Sequence, residues 1–335
     1  MVSIQSEFIQ FHDKIKLSDE NEELREKRDI LLDILKDKIS NEAASYTHFV
    51  QGSYAMGTGI KPTDGDYDID VGLEFDIDKD EYPDPITIKK WVKDALDGHT
   101  QSVKIRRSCV TVTYQKDDEP IYHVDFACYA AYNKDQKLYI SKGKEHSEKE
   151  NRFWELSDPK GLINLIKNRY SDEEEQAQFK RVIRYMKKWK SEKFETTGSA
   201  APTGIALTVL AYDLFSPQYI NDIIKGTKVY DDFTALKNLV QSILNQFTLN
   251  YDENGNVHFT ISQNLPVEPY NNLFSKMTEI QQDDFHSKLT TMKSKLTEVE
   301  NTDKKSEACK VLAQIFGNDF PIKADRSYVG TSESA

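Results

Sequence analysis

Residues 67–75 read Tyr-Asp-Ile-Asp-Val-Gly-Leu-Glu-Phe, and from Ile69 to Phe75 the apolar side chains recur at every second position. That period predicts a β-strand whose Ile69, Val71 and Leu73 side enters a core, with Asp68 and Asp70 together on the opposite face. A short segment upstream stands Gly52-Ser53, inside the string Gln51-Gly52-Ser53-Tyr54-Ala55-Met56-Gly57-Thr58-Gly59-Ile60-Lys61-Pro62. A Gly-Ser turn can present backbone N–H groups and a hydroxyl to phosphate, and the three glycines permit close approach of the backbone. Paired carboxylates beside a phosphate cradle are what Mg²⁺-dependent nucleotide chemistry requires.

A third acid strengthens this reading. Asp125 stands in the strand predicted over Ile121 to Tyr132, where only it and His123 interrupt an apolar run. A buried carboxylate costs several kcal/mol, about 3–5, unless it is paired or metal-bound. Beside Asp68 and Asp70 it completes a three-carboxylate site; the alternative is a core acid paired with a basic residue. Two registers are open for the pair, Asp66/Asp68 and Asp68/Asp70. The apolar continuation through Phe75 favours the second. The plain alternative for Asp68 and Asp70 is the wet face of an edge strand. His123 points the same way as Asp125 and fits a supporting role. Arg106 and Arg107 read as surface charges, and Tyr54 as a core aromatic.

The rest of the chain supplies helices and two more strand signals. Helices are expected over Ser18 to Ser40, capped by Ser18, and over Ile86 to Leu96, opened by Pro85. Val103 to Tyr114 reads as one strand, with a hairpin turn at Lys116 to Pro120 before the Asp125 strand. The second half is mainly helical: Gln176 to Glu192, Thr203 to Phe215 after Pro202, Phe233 to Phe247, Asn272 to Glu300 and Ser306 to Phe316. The first of these carries Phe179, Val182, Ile183, Met186 and Trp189 on one stripe and Arg181, Arg184 and Lys187 on another. A lobe boundary is expected in the loop around Trp154 to Pro159.

Charge and cysteine content narrow the function classes. With 44 basic and 56 acidic side chains the formal net charge is −12. A protein built to grip a long nucleic-acid backbone carries a basic surplus, so a polymeric DNA or RNA substrate is disfavoured, whereas a nucleoside triphosphate needs only a local basic pocket. Cys109, Cys128 and Cys309 are scattered and odd in number, which points to a reducing compartment rather than a disulfide framework or zinc cluster. No apolar run approaches a membrane span, and residues 1–16 lack a signal pattern, so a cytoplasmic location and no membrane partner are expected.

The order Gly-Ser, Asp-x-Asp, then a single Asp on a later strand resembles the polymerase-β-like nucleotidyltransferase superfamily. Within it, the string from Gln51 to Val71 resembles the CD-NTases, the bacterial relatives of cyclic GMP-AMP synthase and oligoadenylate synthase. The helix Val182 to Trp189 is similar to the oligoadenylate-synthase helix ending in Lys-x-Trp. Pro202 to Leu207 resembles the next helix start, and Ile315 to Pro321 a common family ending. There is no His/Cys cluster like the zinc ribbon of the animal DNA sensor, so activation by long DNA is not expected.

The resemblance implies an α+β fold: a polymerase-β-like core of mixed sheet and helices over 1–155, a helical oligoadenylate-synthase-like lobe over 156–323 and a flexible tail over 324–335. It implies that Gly52 and Ser53 bind the donor triphosphate and that Asp68, Asp70 and Asp125 are the catalytic carboxylates. All three would ligate Mg²⁺ or Mn²⁺, with Asp125 also orienting the attacking 3′- or 2′-hydroxyl. Arg184 and Lys187 match positions that contact triphosphate, with Lys188 as the alternate if the helical phase is off by one. Thr203 matches a residue that closes on phosphate or ribose; its plain reading is a helix cap. The implied activity makes a cyclic di- or trinucleotide messenger from ATP, GTP or both, with pyrimidine nucleotides open, for anti-phage defence (CBASS). A separate effector would read the product, and a ubiquitin-like ligase pair would join the tail to other proteins. The other readings are a nucleotidyltransferase acting on a protein or RNA end, and a non-catalytic nucleotide-binding scaffold.

Overall fold

The computed structural model describes residues 3–17, 22–62, 67–100, 102–116, 119–195, 200–222, 226–251 and 253–322. In chain order the elements begin with α1 (Gln5–Ile15), α2 (Glu22–Lys38), β1 (Tyr46–Val50), α3 (Gly52–Met56), β2 (Tyr67–Phe75) and α4 (Ile86–Leu96). Next come β3 (Ser102–Ile105), β4 (Val110–Lys116), β5 (Glu119–Ala130), β6 (Tyr139–Lys142), β7 (Phe153–Leu156) and α5 (Pro159–Lys167). Then follow α6 (Glu173–Lys193), α7 (Gly204–Leu214), β8 (Tyr219–Asp222), β9 (Thr227–Tyr230) and α8 (Asp232–Leu244). The last are β10 (Thr248–Tyr251), β11 (Val257–Thr260), α9 (Glu279–Glu300) and α10 (Lys305–Phe316). Two compact units emerge: Leu17–Ser171 with Asn264–Asn272, and Met1–Lys16 with Asp172–Gln263 and Leu273–Ala335.

The first unit is a mixed sheet with helices. Its strands run in the order β1-β2-β5-β4-β3, and β6 and β7 extend from β5. β2 and β5 are parallel, with Asp68 opposite His123 and Asp70 opposite Asp125; β1, β4 and β6 join antiparallel. The period-two pattern is realised: Ile69, Val71, Leu73 and Phe75 are buried with Val124, Phe126 and Cys128 of β5, Leu31 and Leu35 of α2, and Ile88, Val92 and Leu96 of α4. Each such side chain contributes roughly 1.5–3 kcal/mol of burial. The acids of β2 are thereby committed to the other face.

Three departures from the sequence reading have physical causes. Val103 to Tyr114 is two strands, not one. Arg106 N–H donates to Cys109 O (2.8 Å) and Ile105 pairs with Val110 across the turn. No Gly or Pro marks this turn; its carbonyls are satisfied from afar. Fully buried Lys89 of α4 donates to Arg106 O (3.1 Å), Arg107 O (2.8 Å) and Gly143 O (3.0 Å). Burial lowers that ammonium's pKa to about 8. Next, the helix expected from Asn272 starts only at Glu279, where Thr278 and Gln281 form a reciprocal capping box. Finally, Trp154 lies in β7, which pairs with β6, so residues 153–156 belong to the sheet rather than to a lobe boundary. The two units divide at Ser171/Asp172 instead. Asp172 caps α6 there, accepting from the N–H groups of Glu174 and Glu175. Ser18, the Asp64–Asp66 segment, Asp117 and Asp118 of the expected hairpin turn, and the tail lie outside the described residues.

The second unit contains α1 and α6–α10 with the hairpins β8–β9 and β10–β11. The stripe read from α6 is its buried face: Phe179, Val182, Ile183, Met186 and Trp189 are all at most 1% exposed. Helix α1, which the sequence reading passed over, packs here through Phe8 and Phe11.

Candidate functional site

Asp68, Asp70 and Asp125 each offer an oxygen lying within 4.8 Å of the others. The register causes this: Asp70 and Asp125 are parallel-sheet partners, and Asp68 is two residues along on the same face. Asp68 is exposed, and Asp70 and Asp125 are half-buried. Asp125 is held from the neighbouring strand, where Thr111 Oγ1 donates to its Oδ1 at 2.6 Å. Three carboxylates this close repel one another in the absence of a cation. Their oxygens are hard donors of the type that Mg²⁺ and Mn²⁺ select, so the residues present fit such an ion. Asp66 lies outside the described residues; the register Asp68/Asp70 is the one that meets Asp125.

The Gly-Ser turn abuts the same carboxylates. β1 ends at Val50, and Gln51 N–H donates to Asp70 O (3.0 Å) while Gln51 Oε1 accepts from buried Tyr129 (2.8 Å). Gly52 then takes φ +68°, and a β-carbon there would stand 1.8 Å from Asp70 Oδ2. Glycine is therefore required twice, for the backbone angle and for the contact. Gly52 and Ser53 open α3, in a first turn where the helix supplies no acceptors for its amides. The chain closes over it as Gly57 adopts the left-handed conformation and Thr58 N–H donates to Ser53 O (2.9 Å). Gly52→Ala is expected to lower turnover at least about 100-fold by displacing Asp70, and stability by about 1–3 kcal/mol. Steady-state kinetics with thermal melts check this; an active, wild-type-stable variant would show that the turn does not fix Asp70.

The remaining expectations for this unit are met unevenly. His123 shares the carboxylate face, opposite Asp68 and half-buried. Tyr54 is not a core aromatic: it is half-buried and its hydroxyl accepts from Arg25 Nε at 2.8 Å. Arg106 and Arg107 form the β3–β4 turn.

In the helical unit, Arg184 and Lys187 stand one turn apart on α6. Arg184 Nη1 lies 3.0 Å from His12 Nε2. Lys187 is buried with its Cε beside Gly204, the first residue of α7, at 3.7 Å from where a β-carbon would stand. Thr203 caps α7, its Oγ1 accepting from Ala206 N–H at 3.2 Å. Lys188 is tied to Glu192 (2.8 Å) and Asp319 (2.6 Å), which separates its role from that of Lys187. Sequence reasoning missed Thr111, Gln51, Tyr129 and His12. Of these only Gln51 carried a signal, as part of the Gly-Ser string.

Residues 47–129 match the profile of the cyclic GMP-AMP synthase DncV-like nucleotidyltransferase domain. A cyclic GMP-AMP synthase of Escherichia albertii is 29% identical over 197 residues, 55% of this chain and 41% of that protein. The chain thus matches about two-fifths of that relative's length. Among solved structures, the Vibrio cholerae DncV cyclic AMP-GMP synthase in complex with the linear intermediate 5′ pppA(3′,5′)pG superposes with TM-score 0.65 at 17% identity, covering 94% of this chain and 96% of that one. The Bradyrhizobium diazoefficiens CD-NTase CdnG in complex with GTP gives TM-score 0.66 at 13% identity, over 94% and 96%. Residues 47–129 thus match a nucleotidyltransferase domain of the DncV-like kind, and the chain shares the fold of the DncV and CdnG structures, a mixed-sheet core with a helical C-terminal part.

Proposed function

We propose that the chain is a divalent-metal-dependent nucleotidyltransferase that joins nucleoside triphosphates into a cyclic di- or trinucleotide. The observation that carries this reading is the convergence of Asp68, Asp70 and Asp125 to within 4.8 Å beside the Gly52-Ser53 turn. A wet sheet edge requires no such convergence. Asp68, Asp70 and Asp125 would hold the ion, which when bound neutralises phosphoryl charge and acidifies a hydroxyl.

The protein's own residues supply the rest. Ser53 and the first-turn amides of α3 bind the donor triphosphate. Asp125, steadied by Thr111, orients the attacking 2′- or 3′-hydroxyl. Arg184, Lys187 and Thr203 contact triphosphate or ribose. In each round one oxygen–phosphorus bond forms at the α-phosphate and the α–β phosphoanhydride breaks, releasing pyrophosphate. The first round gives a linear intermediate, of the kind present in the V. cholerae DncV complex; the last closes the ring. ATP and GTP are the expected substrates, and the product is a messenger for a separate effector in anti-phage defence. Among the described residues no helix is long and apolar enough to cross a membrane.

The test is incubation of the pure chain with all four NTPs and Mg²⁺, followed by mass spectrometry and nuclease digestion. A phosphatase-resistant cyclic product with pyrophosphate release is expected. Linear products alone, or label transferred onto a macromolecule, would overturn cyclisation.

A further inference from the structure

Strand β3 ends the sheet order β1-β2-β5-β4-β3, so among the described residues it has a strand neighbour on the β4 side only. Arg106 N–H donates to Cys109 O (2.8 Å), and antiparallel pairs alternate between bonded and non-bonded. Lys104 therefore turns its N–H and C=O toward Thr111 of β4, and Val103 and Ile105 turn theirs to the open edge. The same period puts the side chains of Lys104 and Arg106 on one face, and both are exposed. A groove of about 400 Å³ follows this edge, lined by residues 103–106, by residues 144–147 and by Lys93 of α4.

The two lining segments are braced together. Buried Lys89 donates to Arg106 O and Arg107 O from one and to Gly143 O beside the other. Gly143 N–H returns a bond to Arg107 O (2.9 Å). Arg152 holds the second segment through Ser147 O (2.8 Å) and Glu145 O (3.0 Å). A groove braced in this way costs little to order on binding. Its charge has one sign. Glu145 is matched by Lys93 (2.6 Å), whereas Lys104, Arg106 and Lys144 are exposed and make no ion pair among the described residues. On a chain of net charge −12 such a local surplus selects an acidic partner. The open edge selects further, because it can pair with a peptide backbone and not with a nucleic-acid backbone. Lys104 and Arg106 stand about 7 Å apart along the chain, the repeat of alternate side chains on an extended peptide.

We propose that this groove docks an extended acidic segment of a partner protein, which adds to β3 as a further strand and sets alternate acidic side chains on Lys104 and Arg106. The test uses the full chain and a fluorescein-labelled peptide of alternating Glu and Thr, read by anisotropy, with melts of every variant. Saturable binding is expected, weakening at least about fivefold as salt rises from about 0.05 to about 0.3 M. Lys104→Glu/Arg106→Glu is expected to lose at least about tenfold. Lys36→Glu/Lys38→Glu, the same charge change on exposed residues of α2, should stay within about twofold. The peptide N-methylated at every amide keeps its charge but cannot donate to the edge, and should bind at least about tenfold more weakly. Amide exchange at Val103 and Ile105 of the wild type should slow when the peptide binds. No saturable binding, equal losses in the two double variants, undiminished binding of the N-methylated peptide, or unchanged exchange at both amides overturns the proposal. Oligothymidylate of the same charge binding at least as tightly as the peptide overturns it too, because the groove would then read phosphate charge alone.

Discussion

Asp70→Asn, and separately Asp68→Asn, should lower turnover at least about 10³-fold while leaving the chain folded. Asparagine keeps the shape of the side chain and its fit against Gly52, but removes a charge and a strong ligand oxygen. Asp70 has the more consequential position, because Gly52 packs on its carboxylate and Asp125 is its sheet partner. Two carboxylates about 5 Å apart repel by about 1–3 kcal/mol at intermediate to high effective dielectric, and exposure of Asp68 screens its share. Removing one charge should therefore leave the metal-free protein as stable as before, or slightly more so. The wild type should gain melting temperature on Mn²⁺ addition by mass action, and the Asn variants should lose that gain. Activity assays and melts with and without EDTA check both halves. Full activity in either variant, or an undiminished Mn²⁺ shift, would sink the metal assignment.

How much of this was legible in sequence depended on whether the cause was local. Period two along Ile69–Phe75 is a local signal, and it placed Asp68 and Asp70 on one face because the other face had to be buried. Asp125 stood out as an acid in an apolar strand, yet its register against Asp70 follows from a parallel pairing between distant segments, which no local pattern encodes. Thr111 looked like ordinary strand propensity. Nothing in the local sequence marks Lys89 as buried, although its ammonium serves three carbonyls from two loops. His12 lay in a segment read only for targeting signals. The start of α9 was legible in principle from Thr278-x-x-Gln281, the spacing of a capping box. The membership of α1 in the helical unit rests on Phe8 and Phe11 meeting Tyr185 and Phe316, contacts that span most of the chain.

Asp232→Ala should destabilise the helical unit by about 3–5 kcal/mol, the largest stability effect expected of a single polar substitution here. The carboxylate is fully buried and accepts from Arg181 Nε (2.6 Å) and Nη2 (2.9 Å), Tyr185 Oη (2.9 Å) and Gln178 Nε2 (3.3 Å). Its own N–H donates to Gln5 Oε1 at 2.7 Å, which ties α1 to the start of α8. Alanine leaves a buried guanidinium and a buried phenol without their shared acceptor, and desolvation of the orphaned charge dominates the cost. The double variant Arg181→Met/Asp232→Leu should recover most of the loss, because an apolar pair of similar volume carries no uncompensated charge. Urea unfolding reads this as a fall in midpoint at unchanged m-value for the single variant and its recovery in the double. A loss below about 1 kcal/mol in Asp232→Ala would mean that solvent reaches Arg181 and that the network does not fix α6. Because α6 also carries Arg184 and Lys187, the network's consequence reaches function: nucleotide affinity should fall in Asp232→Ala and return in the double variant, although neither residue is assigned to the nucleotide.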